Sequence, residues 1–344
     1  MTASSERSAV SSKKTGENSI FRRIVFCLPL TLLLLTVAEA QQIGKVSRIG
    51  FLDNSTASGS AVLVDAFRQE LSKLGWIEGK NITIEYRFTE QKNERLPELA
   101  AELVRLKVDL IVVTSTAPAL AAKSVTATIP IVMTLSADPV GAGLVASLAR
   151  PGGNITGNST LATEVNGKRL EILKDAVPKL ARVGFLGASS PGGLLQLKEL
   201  KSAALALKLK LEEIETQPDA KGLESAFQTA KQKQVNAIMM VAGPRFFAER
   251  KRIVELAVKH RLPAIYPEKG YVDEGGLMSY GVDYIDLYRR AAVYVDKILK
   301  GAKPADLPVQ QATKFEFVIN LKAAKQIGLT LSPEFLSRAN QVIK

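Results

Sequence analysis

The sequence predicts an α/β protein made of two doubly wound parallel-sheet lobes joined by a three-segment hinge. Three observations carry this. Short runs of β-branched and aliphatic residues, such as Asp109-Leu-Ile-Val-Val, alternate with longer segments of helical apolar spacing. Each run empties into a polar turn. The whole series then recurs about 130 residues later, with Arg48-Ile-Gly-Phe-Leu returning as Arg182-Val-Gly-Phe-Leu and Ile129-Pro-Ile-Val-Met as Leu262-Pro-Ala-Ile-Tyr. Strand–helix alternation demands parallel sheets covered on both faces, and 344 residues suffice for two such cores.

In order, the first strand is Arg48 to Leu52, and its turn is Asp53-Asn-Ser-Thr56. A helix follows from Ala61 to Leu74, because Val62, Ala66, Phe67, Leu71 and Leu74 recur at helical spacing, and Gly75 ends it. Trp76 reads as a structural staple in the next turn. Asn81 to Phe88 alternates as a strand, and Arg95 to Leu106 is helical. The Asp109 strand leads to a small-residue helix from Ala119, which Ser115 or Thr116 can cap and Pro118 suits. Ile129 to Leu135 is the fourth strand, and a helix is expected to start at Leu144 and stop at Pro151. The second copy predicts helices at Leu197–Leu207, Glu224–Gln232 and Phe247–His260, with strands at Leu209–Glu215 and Asn236–Val241. A last long helix, Leu287–Leu299, is expected to return to the first lobe. The lobes are expected to span 45–158 plus 282–311 and 159–281 plus 312–344, with crossings near 157–161, 279–283 and 311–314.

Residues 1–40 stand outside this pattern. Arg22-Arg23, an apolar run from Ile24 to Val37 and Ala38-Glu-Ala40 read as a secretory signal cut before Gln41. The run falls short of the roughly 20 residues that span a bilayer. Cys27, the only cysteine, lies in that run, so the exported chain is expected to have no thiol chemistry. The formal charge of +12 comes from Lys and Arg scattered among acids, a solvated pattern rather than a nucleic-acid footprint.

The one histidine, His260, ends a basic helix, where it reads as a surface residue favoured by the helix dipole. Without a second histidine or an exported cysteine, Ser-His-Asp and Cys-His arrangements and the usual zinc sites cannot be assembled. There is no phosphate-binding G-x-x-x-x-G-K-[ST] loop, and no cofactor is expected. The candidates that remain are the strand-end turns, because open α/β sheets bind ligands at their carboxyl edge. They are Asn54 and Ser55, Ser115 and Thr116, Ser136 and Asp138, Ser189 and Ser190, and Gly243. The same residue types are also ordinary caps and turn formers. Tyr266 and Tyr280 stand near these edges as stacking candidates.

Several long motifs resemble one family. They include Gly75-Trp-Ile-Glu-Gly-Lys-Asn-Ile, Arg95-Leu-Pro-Glu-Leu-Ala-Ala-Glu-Leu-Val, Asp138-Pro-Val-Gly, Ala149-Arg-Pro-Gly-Gly-Asn-Ile-Thr-Gly, Arg261-Leu-Pro-Ala-Ile-Tyr, Ser279-Tyr-Gly and Val295-Asp-Lys-Ile-Leu-Lys-Gly-Ala-Lys-Pro. From about residue 46 onward the chain resembles periplasmic substrate-binding proteins of ABC uptake systems, in the branch related to tryptophan/phenylalanine-binding components. The turn at Thr114-Ser-Thr-Ala-Pro118 departs from the Gly-Thr-Pro-Ala often found there. The resemblance implies a type I periplasmic binding-protein fold and an ABC permease and ATPase as partners. The expectation is a monomeric periplasmic protein that captures a small solute, an amino acid or related carboxylate, without turnover and without nucleic acid. The alternatives are a periplasmic enzyme using cleft carboxylates and a ligand-sensing receptor module.

Overall fold

Five of the described strands are buried at every residue, and that fixes the architecture. In Leu110–Val113 and Ile131–Ser136 every residue is buried, as a strand covered by helices on both sides requires. The structure is a computed structural model that describes residues 46–344 apart from 188–190. The expected signal segment with Cys27, the cut before Gln41, and the candidates Ser189 and Ser190 lie outside the described residues.

The first series comprises β1 (Ser47–Asp53), α1 (Ala57–Lys73), β2 (Ile82–Phe88), α2 (Leu96–Arg105), β3 (Leu110–Val113), α3 (Thr116–Val125), β4 (Ile131–Ser136) and β5 (Ile155–Ser159). The second comprises α4 (Ala162–Ala176), β6 (Arg182–Gly187), α5 (Pro191–Ala206), β7 (Lys210–Glu215), α6 (Ala220–Gln232), β8 (Ala237–Met240), α7 (Pro244–Ala248), α8 (Arg250–Lys259), β9 (Ile265–Tyr266), α9 (Gly270–Asp273) and β10 (Met278–Gly281). The chain ends with α10 (Tyr284–Leu299), β11 (Gln310–Gln311), β12 (Glu316–Asn320), α11 (Leu321–Ile327), α12 (Pro333–Ser337) and β13 (Gln341–Ile343).

The first sheet runs β11-β5-β4-β3-β1-β2, all parallel. In the second half, β7-β6-β8 is joined to β9 by a bridge between Ile238 and Ala264, and β9 pairs with β10 in parallel. Both halves therefore repeat one order, second-first-third-fourth-fifth, as the duplicated sequence requires. β12 adds antiparallel to β10, and β13 adds parallel to β12. On the first sheet, Leu52, Ile111, Val113 and Met133 face Leu99, Leu103, Ala119 and Ala122 of α2 and α3. Phe51, Val112 and Val132 face the other way, where α1 and α10 pack on each other. Consecutive elements change sheet after β5, after β10 and after β11.

Four local expectations are corrected. α1 begins at Ala57, four residues early, because Thr56 Oγ1 accepts from Gly59 N at 3.1 Å and caps it before the apolar spacing starts. The expected helix at Leu144 is a run of turns: Leu144 N and Val145 N both donate to Pro139 O, and Gly143 takes φ +67. The single helix expected over Phe247–His260 is two, α7 and α8, broken at Glu249. His260 is half-buried and stacks on Phe227 at 5.6 Å rather than standing free on the surface.

Trp76 joins the α1–β2 turn to α10, its Nε1 donating to Asp296 Oδ1 at 2.9 Å. Asp296 is buried and otherwise held by Lys300. Trp76→Phe keeps most of the packing but removes the donor. It is expected to cost about 1–2 kcal/mol, read as a lower urea midpoint with an unchanged slope.

Candidate functional site

Parallel strands all end at the same edge, so each sheet presents its turns together. Between the two edges lies a narrow cavity of about 40 Å³. Asn54, Ser115 and Thr116 line it from the first sheet, and Gly192, Gln196, Gly243, Arg245 and Phe246 line it from the second. At roughly 10–15 Å³ per water molecule it holds only a few waters. The edges are in contact: a Cβ placed on Gly192 would stand 3.2 Å from Thr116 Oγ1, and Gly59 of α1 meets Ala248 of α7. The cleft is therefore closed, and its edges must part to admit anything larger.

Polar side chains hold the lining. Ser115 Oγ donates to Asn54 Oδ1 at 3.2 Å, and Asn54 Nδ2 donates to Asn93 Oδ1 at 3.2 Å. Thr116 Oγ1 accepts from Ala137 N at 3.4 Å. On the far side Gln196 pairs twice with Ala242, accepting from its N–H at 2.8 Å and donating to its carbonyl at 3.0 Å. This steadies the turn in which Gly243 takes φ +157, a region that favours glycine.

Arg245 is the only ionisable side chain among the described lining residues. Its side chain is 6% exposed. Nε donates to Gln91 Oε1 at 3.0 Å, and Nη2 donates to Gln91 O at 2.6 Å and to Gln217 Oε1 at 2.9 Å. None of these partners is a carboxylate. Burial lowers the guanidinium pKa, with Glu94 and Asp219 opposing that only through space.

Of the sequence candidates, Asn54, Ser115, Thr116 and Gly243 are brought together in this cavity. Ser55, Ser136, Asp138, Tyr266 and Tyr280 are not among its lining residues, each for a physical reason. Ser55 Oγ donates to Asp53 Oδ1 at 2.9 Å, inside a buried network with Ser60 that serves Asp53, whose own pKa burial raises. Ser136 is fully buried, and its hydroxyl has no hydrogen-bond partner. Asp138 caps its own turn, accepting from Gly141 N at 2.8 Å. Tyr266 is buried, stacked on Tyr271 with centroids 4.9 Å apart. Tyr280 stacks on Phe315 at 6.1 Å, and its carbonyl accepts from Arg169 Nε at 2.6 Å. Arg169 also reaches Pro267 O and Asn166, locking the ends of β9 and β10, and burial lowers its guanidinium to about 10. Sequence reasoning missed Arg245, Gln91, Gln196 and Gly192. The available clue was a cation directly after the Gly243-Pro244 strand-end turn.

Residues 56–343 match the family described as ABC transporter substrate binding protein. The chain belongs to that family. It is 29% identical over 266 residues to a tyrosine-binding protein of Clostridioides difficile, covering 76% of this chain and 75% of that one. Among solved structures it resembles an ABC domain in complex with L-Trp from Streptococcus pneumoniae, with 28% identity and TM-score 0.76 over 86% of this chain and 99% of that one. It also resembles a ligand-free, open substrate-binding protein with adhesive properties from Clostridium difficile, with 26% identity and TM-score 0.59 over 87% and 99%. The architecture is the type I periplasmic binding-protein fold. The lower TM-score to the ligand-free, open structure, at similar identity, agrees with edges that touch. No helix among the described residues is long and apolar enough to cross a membrane.

This substrate-binding protein has a second cavity, of about 340 Å³, lined by Val62 of α1, Phe247, Arg250, Glu268 and Asp283 among others. Glu268 is buried there, and its Oε1 accepts from Gly270 N at 2.7 Å. Burial pushes its pKa up from 4.5 to about 8, against the Gly270 amide and with help from Asp283. A carboxyl raised on folding favours the folded state while it is protonated. Its contribution is therefore complete below pH 4.5 and is lost as pH rises to about 8. Glu268→Gln keeps a neutral group of the same shape. Thermal melts across this range are expected to show the variant several degrees more stable than wild type at pH 8, with the two curves converging toward pH 4.5.

Proposed function

We propose that this substrate-binding protein captures an amino acid, or a related small carboxylate, between its two sheets outside the cytoplasm and delivers it to an ABC permease and ATPase. The observation that carries the reading is the chemistry of the cleft. Hydroxyls, amides and apolar groups from both carboxyl edges surround one guanidinium, with no acid among the described lining residues. Such a lining suits a ligand with an anionic head and a neutral body. Among the described lining residues there is no carboxylate pair of the kind a glycosidase uses. The relatives that bind tyrosine and L-Trp support the amino-acid class. The proposed working form is the monomer released by cleavage before Gln41, which closes on its solute by hinge motion without turnover and without nucleic acid.

Calorimetric titration with L-tyrosine and L-tryptophan tests this. Saturable binding with the amino acid recovered unchanged is the expected result. Consumption of the ligand, or a co-purified solute without a carboxylate, would overturn it. Closure itself is tested at Gly192, which has Thr116 Oγ1 and Cβ within 3.3 Å of where a side chain would begin. Gly192→Val is expected to prop the edges apart and weaken binding by roughly tenfold or more, about 1.4 kcal/mol, while the far-ultraviolet circular dichroism spectrum stays unchanged.

A further inference from the structure

We propose that Gln91 is a positioning residue: it reaches across the closed cleft to hold Arg245 so that the remaining Nη1 group of the guanidinium receives the carboxylate of the bound solute. This rests on the reading that the cleft closes on a small carboxylate. Gln91 follows β2 of the first sheet, and Arg245 lies in α7 after β8 of the second, so the pair is formed only when the edges meet. Three hydrogen bonds make it, and a fourth ties Arg245 to Gln217. Beyond the two that Arg245 donates to Gln91, and the one to Gln217, Gln91 Nε2 donates back to Arg245 O at 3.2 Å. Nε and Nη2 are thereby occupied, whereas Nη1 makes no hydrogen bond to any described residue. Arg245 also stands between the inner cavity and an outer groove of about 580 Å³ lined by Gln91, Lys92, Asn93 and Gln217 together with the acids Glu90, Glu94, Asp219 and Glu249. Glu94 and Asp219 act on the guanidinium only through space, so its Nη1 is left without a bonded counter-ion and is suited to an anion held at that partition.

The backbone that delivers Gln91 is itself unusual. Glu90 and Gln91 are consecutive non-glycine residues at φ +53 and +67, in the left-handed region. The turn is held by Thr89 N donating to Asp53 O at 3.0 Å and by Glu90 N donating to Ser55 O at 3.2 Å. That turn lets one residue present both its carbonyl and its side chain to the same guanidinium. The neutrality of Gln91 matters equally. A glutamate there would hold Arg245 as firmly but neutralise the charge that the solute needs. Carboxylate recognition and closure are thus one event, because Arg245 is aimed only when Gln91 has crossed the cleft.

The test uses L-tyrosine and L-tryptophan beside L-tyrosinamide and L-tryptophanamide, which lack only the carboxylate. Calorimetry and stopped-flow kinetics are run on wild type, Gln91→Ala and Gln91→Glu. For Gln91→Ala, binding of the amino acids is expected to weaken by about tenfold, mainly through faster release, with the amides changed by less than about threefold. For Gln91→Glu, the ligand-bound radius of gyration from small-angle scattering is expected to stay at the wild-type value while the preference for acid over amide falls. Equal losses for acids and amides, or amino-acid affinity within about twofold of wild type in Gln91→Ala, overturn the assignment. Should wild type bind neither acids nor amides, the amino-acid reading fails, and hydrogen exchange of the ligand-free protein judges the pair alone. Joint loss of protection at residues 89–93 and 243–248 in Gln91→Ala supports it, and unchanged protection rejects it.

Discussion

Parallel connectivity is the constraint on which everything else in this molecule rests. A parallel strand must be followed by a crossover, so every strand of the repeated series points the same way and its post-strand turns gather at one edge. Two copies of such a series give two edges, and the chain changes sheet three times between them. The cavity needs no special element of its own. It is what remains when the turns after β1, β3 and β4 meet the start of α5 and the turn after β8.

Closure brings together groups that are costly to bury. Arg245 is almost fully enclosed yet touches no carboxylate, and a desolvated cation is costly unless most of its donors are satisfied, as Nε and Nη2 are here. Gln91 and Gln217 supply neutral acceptors, so the charge survives burial without being cancelled. Arg169 shows the same logic turned to structure: its carbonyl and amide partners weld strand ends together, and no ligand is needed. Two buried arginines with neutral partners differ in role because one lies on the partition between cavity and solvent and the other behind the strands.

The contacts that let the edges meet are small. Gly192 lies against Thr116, and Gly59 against Ala248. Side chains at either place would hold the sheets apart, so glycine sets how closely the cleft shuts. The few waters' worth of space that remains means that any larger occupant requires a somewhat wider approach of the same surfaces.

The sequence by itself determined the strand–helix alternation, the duplication and the strand-end turns, because these follow from local periodicity and turn chemistry. It located Asn54, Ser115, Thr116 and Gly243 for that reason. It could not separate them from Ser55 and Asp138, which have the same chemistry but spend it on their own turns. Nor could it tell Tyr266, at the end of a strand but stacked in the core, from a ring facing the cleft. Where helices begin was blurred as well, since Thr56 caps α1 before its apolar spacing starts. Tertiary structure alone decided that Gln91 meets Arg245 and that Gly192 meets Thr116. Those pairs are separated by well over seventy residues and belong to different sheets, and no pattern within either segment encodes which edge it will face.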